Sequence, residues 1–368
     1  MPKSPSPAKA AVAKAAAVAK AAGSAKGPTG AKRDRQASPA KSGREAARAQ
    51  GDLVPPPAEG SSASSSAGGD PVGGPATAGS GRATSAAAGD RGASGAVVRS
   101  GRLAVRKTYK LYIGGAFPRS ESGRTYLVDG DNVALASRKD ARDAVVAARK
   151  AQPKWAGATA YNRGQVLYRI AEMVEARRDE FLALGVAAGE LDAAVDRWVW
   201  YAGWSDKIAQ VHGSANPVAG PYFNISAPEP TGVVGVVAPA SFLGLISVIA
   251  PAVVTGNTVV VLAAAPQVAV TLAEVLATSD VPGGVVNILT GHAAETAPWL
   301  ASHDDVNALD LTGVADPALA TELERAAAGN LKRVVRPPAD TPDFTADPGL
   351  HPMTALLETK TVWHPKGF

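Results

Sequence analysis

The chain of 368 residues carries a formal net charge of +5 and contains no cysteine. The missing thiol excludes disulfides, thiolate metal centres and a cysteine nucleophile, and it suits a cytoplasmic protein. The charge is unevenly shared: residues 1–107 hold 17 Lys and Arg against 6 Asp and Glu, whereas the rest is acidic, with 21 against 27.

Residues 1–107 are rich in Ala, Pro, Gly, Ser and Lys, and the first aromatic residue is Tyr109. Such a segment has too little apolar surface to offset the entropy of ordering, so it is expected to be a disordered basic tail. Its Lys-among-Ala pattern from Ala8 to Lys26 resembles arms that neutralise phosphates. No aromatic residue interleaves to stack on bases, so an inert extension is the favoured reading and nucleic-acid binding the alternative. No apolar stretch near Met1 reads as a secretory signal.

From Tyr109 the alternation in "YKLYIGGAF" predicts short strands with a Gly-Gly turn. Helical spacing follows, with Ser137 as N-cap and Ala141, Val145 and Ala148 on one face. A second helix or helix pair carries Val166, Leu167, Ile170, Met173 and Val174. A third sets Trp198 with Tyr201, and Trp200 with Trp204, at spacings that pack a helix onto a core. Beyond Thr231 the pattern changes. "TGVVGVVAP", "NTVVVLA", "GVVNILTG" and "NALDLTG" read as strands, separated by helical runs at Phe242–Val254 and in "VAVTLAEVLATSD". That alternation predicts a Rossmann-like, doubly wound parallel α/β sheet beside an N-terminal helical segment. The uncharged stretch from Phe242 to Ala265 is cut by Pro251, Gly256, Asn257 and Thr258, so a helix, turn and strand are expected there rather than a membrane span.

At the end of the strand Val259–Val260–Val261 stand Leu262, Ala263, Ala264 and Ala265, which offer nothing to a ribose or a phosphate. The five histidines, at 212, 292, 303, 351 and 364, lack metal-ligand spacing. Without a thiol, the remaining chemical candidates are Ser241, His212, Glu229 and Asp310; Ser241 lies in "PASFL" rather than in a nucleophile elbow. Gly232, Gly235 and Gly256 read as turn and packing glycines.

In order and spacing, "PEPTGVVGVVAPASF", "APAVVTGNTVVV", "VPGGVVNILTG" and "LDLTG…AAAGNLKRV" resemble the cofactor-binding half of the aldehyde dehydrogenase superfamily. "LYIGGAF" and "LLETKTVW" resemble its first and last strands. The resemblance implies an NAD(P)-dependent oxidoreductase ancestry, with a Cys nucleophile, an oxyanion Asn and a Glu base. Each of these is replaced. Where the family reads Pro-Trp-Asn, this chain has Pro239, Ala240 and Ser241, so Ser241 stands at the oxyanion position. The ribose-binding Lys and Glu fall at Leu262 and Ala265. Of the pyrophosphate-contacting glycines only Gly313 survives, and the base motif gives way near Arg336, Pro337 and Pro338.

The expectations are accordingly no catalytic residue and no metal, with vestigial cofactor positions at Pro239, Ser241, Leu262 and Gly313. NAD or NADP is implied by resemblance only. The expected organisation is a tail (1–107), a dinucleotide-type domain (108–335), a linker in place of the catalytic domain (336–350) and a C-terminal oligomerisation strand (351–368). The function implied is that of an inactive accessory or structural subunit, assembling with itself or with a complete aldehyde dehydrogenase. An oxidoreductase with altered chemistry, or a nucleic-acid binder acting through the tail, is the alternative.

Overall fold

The structure, a computed structural model, describes residues 105–340 and 342–367. The basic tail expected over residues 1–107 lies outside the described residues except for its last three.

A small sheet of β1 (Thr108–Tyr109), β2 (Thr125–Val128) and β3 (Asp131–Ala134) opens the described chain. Helix α1 (Arg138–Ala156) begins at a capping box. The Ser137 hydroxyl accepts from the amides of Lys139 and Asp140, and the Asp140 carboxylate accepts from the Ser137 amide at 2.8 Å. Helices α2 (Ala160–Ala176), α3 (Arg178–Ala183), α4 (Ala188–Trp204) and α5 (Ile208–His212) follow. The amphipathic run after Ala160 thus folds as a helix pair. The predicted third helix divides at Ser205. Trp198 and Tyr201 are fully buried, as their spacing requires.

Strands β4 (Ser214–Asn216) and β5 (Tyr222–Pro230) lead into β6 (Val233–Val237), α6 (Phe242–Val254), β7 (Thr258–Ala263), α7 (Pro266–Leu276), β8 (Val286–Thr290), α8 (Ala293–Ala301), β9 (Ala308–Asp310), α9 (Pro317–Ala327) and β10 (Arg333–Val335). The five strands β6 to β10 form one parallel sheet in the order β10-β9-β6-β7-β8. Side chains alternate between its faces. Val234, Val236, Val259, Val261 and Ile288 join the core under α2, α4, α6 and α7. Val233, Val237, Val260, Leu262 and Leu289 join the core under α1, α8 and α9. A parallel sheet covered on both faces needs apolar residues in both phases, which explains the valine-rich strands β6 and β7.

The apolar stretch from Phe242 to Ala265 divides into α6, a turn and β7. Among the described residues no helix is long and apolar enough to cross a membrane. After a connector and the short helix α10 (His351–Thr354), the strand β11 (Leu357–Pro365) pairs antiparallel with β5 along its whole length, from Leu357↔Pro230 to Pro365↔Tyr222. Arg333 holds Glu358 bidentately at 2.6 and 2.7 Å, tying this arm to the edge of the parallel sheet. Asn257 ties it more deeply: its amide donates to the Leu356 carbonyl at 3.0 Å, and its oxygen accepts from the Gly232 amide at 2.8 Å.

Candidate functional site

Strand order reverses between β6 and β9, and in open α/β sheets ligands bind outside the carboxyl ends of the strands at such a point. A cleft of about 870 Å³ opens there. Pro239, Ala240 and Ser241 from the β6–α6 turn form one wall, Thr312 and Gly313 from the end of β9 another, and Arg336 to Asp340, with Pro342 and Phe344, a third. Pro239, Ser241 and Gly313 are therefore brought together. Leu262 is not: it lies in the sheet beside Val237 and Leu289, packed in the core.

Ser241 caps helix α6. Its hydroxyl accepts from the Gly244 amide at 3.1 Å, the ordinary role of an N-cap serine. A second donor at the same helix end, the Leu243 amide, is taken by the Glu190 carboxylate at 3.0 Å. Glu190 comes from α4, 53 positions away in sequence, and nothing in "AAGELDAAV" marks it in advance. An internal anion thus occupies the positive end of α6, where a ligand oxyanion would have to sit. Gly244 admits the connector: a β-carbon there would lie 2.9 Å from the Phe344 ring.

Gly313 has a packing reason of its own. A β-carbon at this position would lie 2.3 Å from the Ala238 carbonyl, and the Gly313 amide donates to Val237 at 2.9 Å. The helix that follows is closed to anions. Pro317 at its first turn has no N–H, and Asp316 caps it by accepting from the Ala318 amide at 2.9 Å. A carboxylate at a helix N-terminus stabilises the helix and repels a phosphate.

Asp310, at the end of β9, is buried; its carboxylate accepts from the Thr312 amide at 2.9 Å and the Thr312 hydroxyl at 2.5 Å. Burial pushes its carboxyl above the usual range, and the bonds from Thr312 oppose the rise. Of the other candidates, His212 ends α5, and Glu229 lies on β5 with Lys360 at 2.9 Å. Neither is among the residues lining the cleft. The turn after β8 carries His292 against the Tyr126 ring, with centroids 5.5 Å apart.

The strand order, the two covered faces and the cleft define a dinucleotide-type α/β domain. Residues 130–336 match the model of the aldehyde dehydrogenase family. The chain belongs to that family. It is 34% identical over 251 residues to cytosolic aldehyde dehydrogenase 1 of Elephantulus edwardii, covering 61% of this chain and 49% of the relative. Retinal dehydrogenase 2 of Homo sapiens is 33% identical over 252 residues, covering 62% and 48%. Among solved structures, an NAD+ complex of an aldehyde dehydrogenase from Bacillus cereus superimposes with a TM-score of 0.58 at 28% identity, covering 62% of this chain and 50% of that one. The chain spans about half the length of the curated relatives it matches.

Proposed function

We propose that this protein is a non-catalytic member of the aldehyde dehydrogenase family that serves as an accessory or structural subunit, associating with itself or with a complete family member through its C-terminal arm. The observation that carries the reading is the connector. Only residues 336–350 stand between the last strand of the parallel sheet and the arm, where the resemblance places a whole catalytic domain. The connector is seated at Phe344 and Ala346: the Phe344 ring lies against Gly244, and the carbonyls of Phe344 and Ala346 accept from Arg197 at 2.6 and 2.9 Å.

The cofactor reading follows from the helix ends. Relatives include an NAD+ complex, but in this chain Asp316, Pro317 and the Glu190 carboxylate oppose an anionic ligand, and Leu262 lies in the core. Weak or no dinucleotide binding is the proposal. Assembly is supported by the arm, which belongs to a three-stranded sheet β11-β5-β4: Tyr222 and Trp363 meet on one face with ring centroids 5.8 Å apart, and Phe223 and Ile225 are exposed on the other. Exposed apolar side chains on both faces of a small sheet, beside the edge strand β11, mark an association surface.

The test is sedimentation velocity of the full chain, alone and mixed with a complete aldehyde dehydrogenase. Self-association or a mixed oligomer is expected, lost when residues 356–368 are deleted. A monomer that ignores the complete enzyme overturns the reading.

A further inference from the structure

Beneath the connector lies a cavity of about 170 Å³ between α4, α6, the end of β9 and α10. Two of the side chains lining it, Tyr201 and Ser247, are buried, and their hydroxyls make no hydrogen bond of ordinary geometry among the described residues, although Arg197 approaches the Tyr201 oxygen. An unsatisfied buried hydroxyl costs free energy, so two facing one cavity call for a binding partner there. Arg197 and Asp310 line the same cavity, both buried. Arg197 donates through one nitrogen to the connector carbonyls, and neither it nor Asp310 has an ion-pair partner among the described residues.

From this set of groups we infer a binding site for a small neutral polyol, a molecule of three or four carbons with adjacent hydroxyls. The class follows from the chemistry. A hydroxyl both accepts and donates, so adjacent hydroxyls can accept from Tyr201 and Arg197 while donating to Asp310, with Ser247 serving in either role. An anion would face Asp310, Asp343 and Asp347, and an ammonium would face the buried Arg197 guanidinium. The carbon skeleton meets Val248 and Phe344. In size, the cavity matches about five or six waters at roughly 30 Å³ each, the room that such a molecule needs. Burial raises the Tyr201 phenol well above its usual range, against the opposing pull of the neighbouring Arg197, so it remains a donor at every physiological pH. This site is independent of the accessory-subunit reading.

The experiment is a saturation-transfer NMR titration of the full chain with erythritol. Wild type is expected to give a saturable signal. Tyr201→Phe and Ser247→Ala should each weaken binding by about fivefold or more, the worth of one hydrogen bond of about 1 kcal/mol. Because neither hydroxyl makes a hydrogen bond of ordinary geometry among the described residues, each variant should melt at or above the wild-type temperature without erythritol, which separates lost binding from lost folding. No saturable signal in wild type means that water alone fills the cavity, and it overturns the inference. Equal signals in wild type and both variants overturn it as well.

Discussion

Asn257→Ala is predicted to loosen the C-terminal arm before the rest of the fold. Asn257 is fully buried at the start of β7 and makes three hydrogen bonds: from the Gly232 amide at 2.8 Å, to the Thr255 hydroxyl at 2.9 Å and to the Leu356 carbonyl at 3.0 Å. The losses differ. Leu356 keeps a bond from the Thr231 amide at 3.2 Å, and the Thr255 hydroxyl still donates to Pro251 and Ala252. The Gly232 amide has no other bond among the described residues. Two ordinary bonds at about 1 kcal/mol each, with an orphaned buried amide at about 1–3 kcal/mol, give a cost of roughly 4 kcal/mol. That is a large share of a stability of about 5–15 kcal/mol. At about 2–4 °C per kcal/mol, melting should fall by roughly 8–16 °C. Denaturant titration gives the free energy. Hydrogen exchange gives the location, with early loss of protection expected across Leu357–Pro365. A loss below about 1 kcal/mol, or uniform loss of protection, would refute the reasoning.

Gly313→Ala should fail to fold or lose several kcal/mol, because the new carbon would lie 2.3 Å from the Ala238 backbone. Gly189→Ala, in a helix with nothing within 4 Å, should instead stabilise by about 0.5–1 kcal/mol; thermal melts compare the two. Asp310→Asn keeps the oxygen that Thr312 bonds. The folded carboxyl of Asp310 holds its proton to higher pH than the unfolded one, so wild-type stability falls as pH rises from about 3.9 through the raised folded value. The variant should be more stable than wild type above that window and nearly equal below it, measured by urea titration at several pH values. Glu358 has the opposite sign. Its bond from Arg333 lowers its carboxyl, so its contribution is present above the usual carboxylate range and is lost as pH falls through the lowered value. Exposure limits that pair to less than about 1 kcal/mol, read as the difference between wild type and Glu358→Gln.

The parallel strands were legible because a sheet covered on both faces requires apolar residues in both phases, and the valine-rich or isoleucine-bearing runs ending at Val237, Ala263 and Thr290 supply them. β10 was less so, since Arg333–Val335 is a short edge strand whose identity depends on β9 beside it. Ser241 was legible as a position but not as a cap, because capping depends on the turn that brings its oxygen to Gly244. Leu262 stands at the ribose-binding position by resemblance, and strand register, which the sequence alone does not give, seats it between Val237 and Leu289. The pairs Glu190–Leu243 and Arg197–Phe344 join residues 53 and 147 positions apart, and no local pattern announces contacts of that span.

The most direct test of the central claim is NADH formation by the purified full chain given a panel of aldehydes and saturating NAD. With no thiol in the chain, Ser241 engaged as a cap, and Asp316 and Pro317 closing the helix end to anions, the rate should equal that of the buffer blank. Turnover that survives purification and disappears in Ser241→Ala would contradict the account, because it would place working chemistry in this cleft.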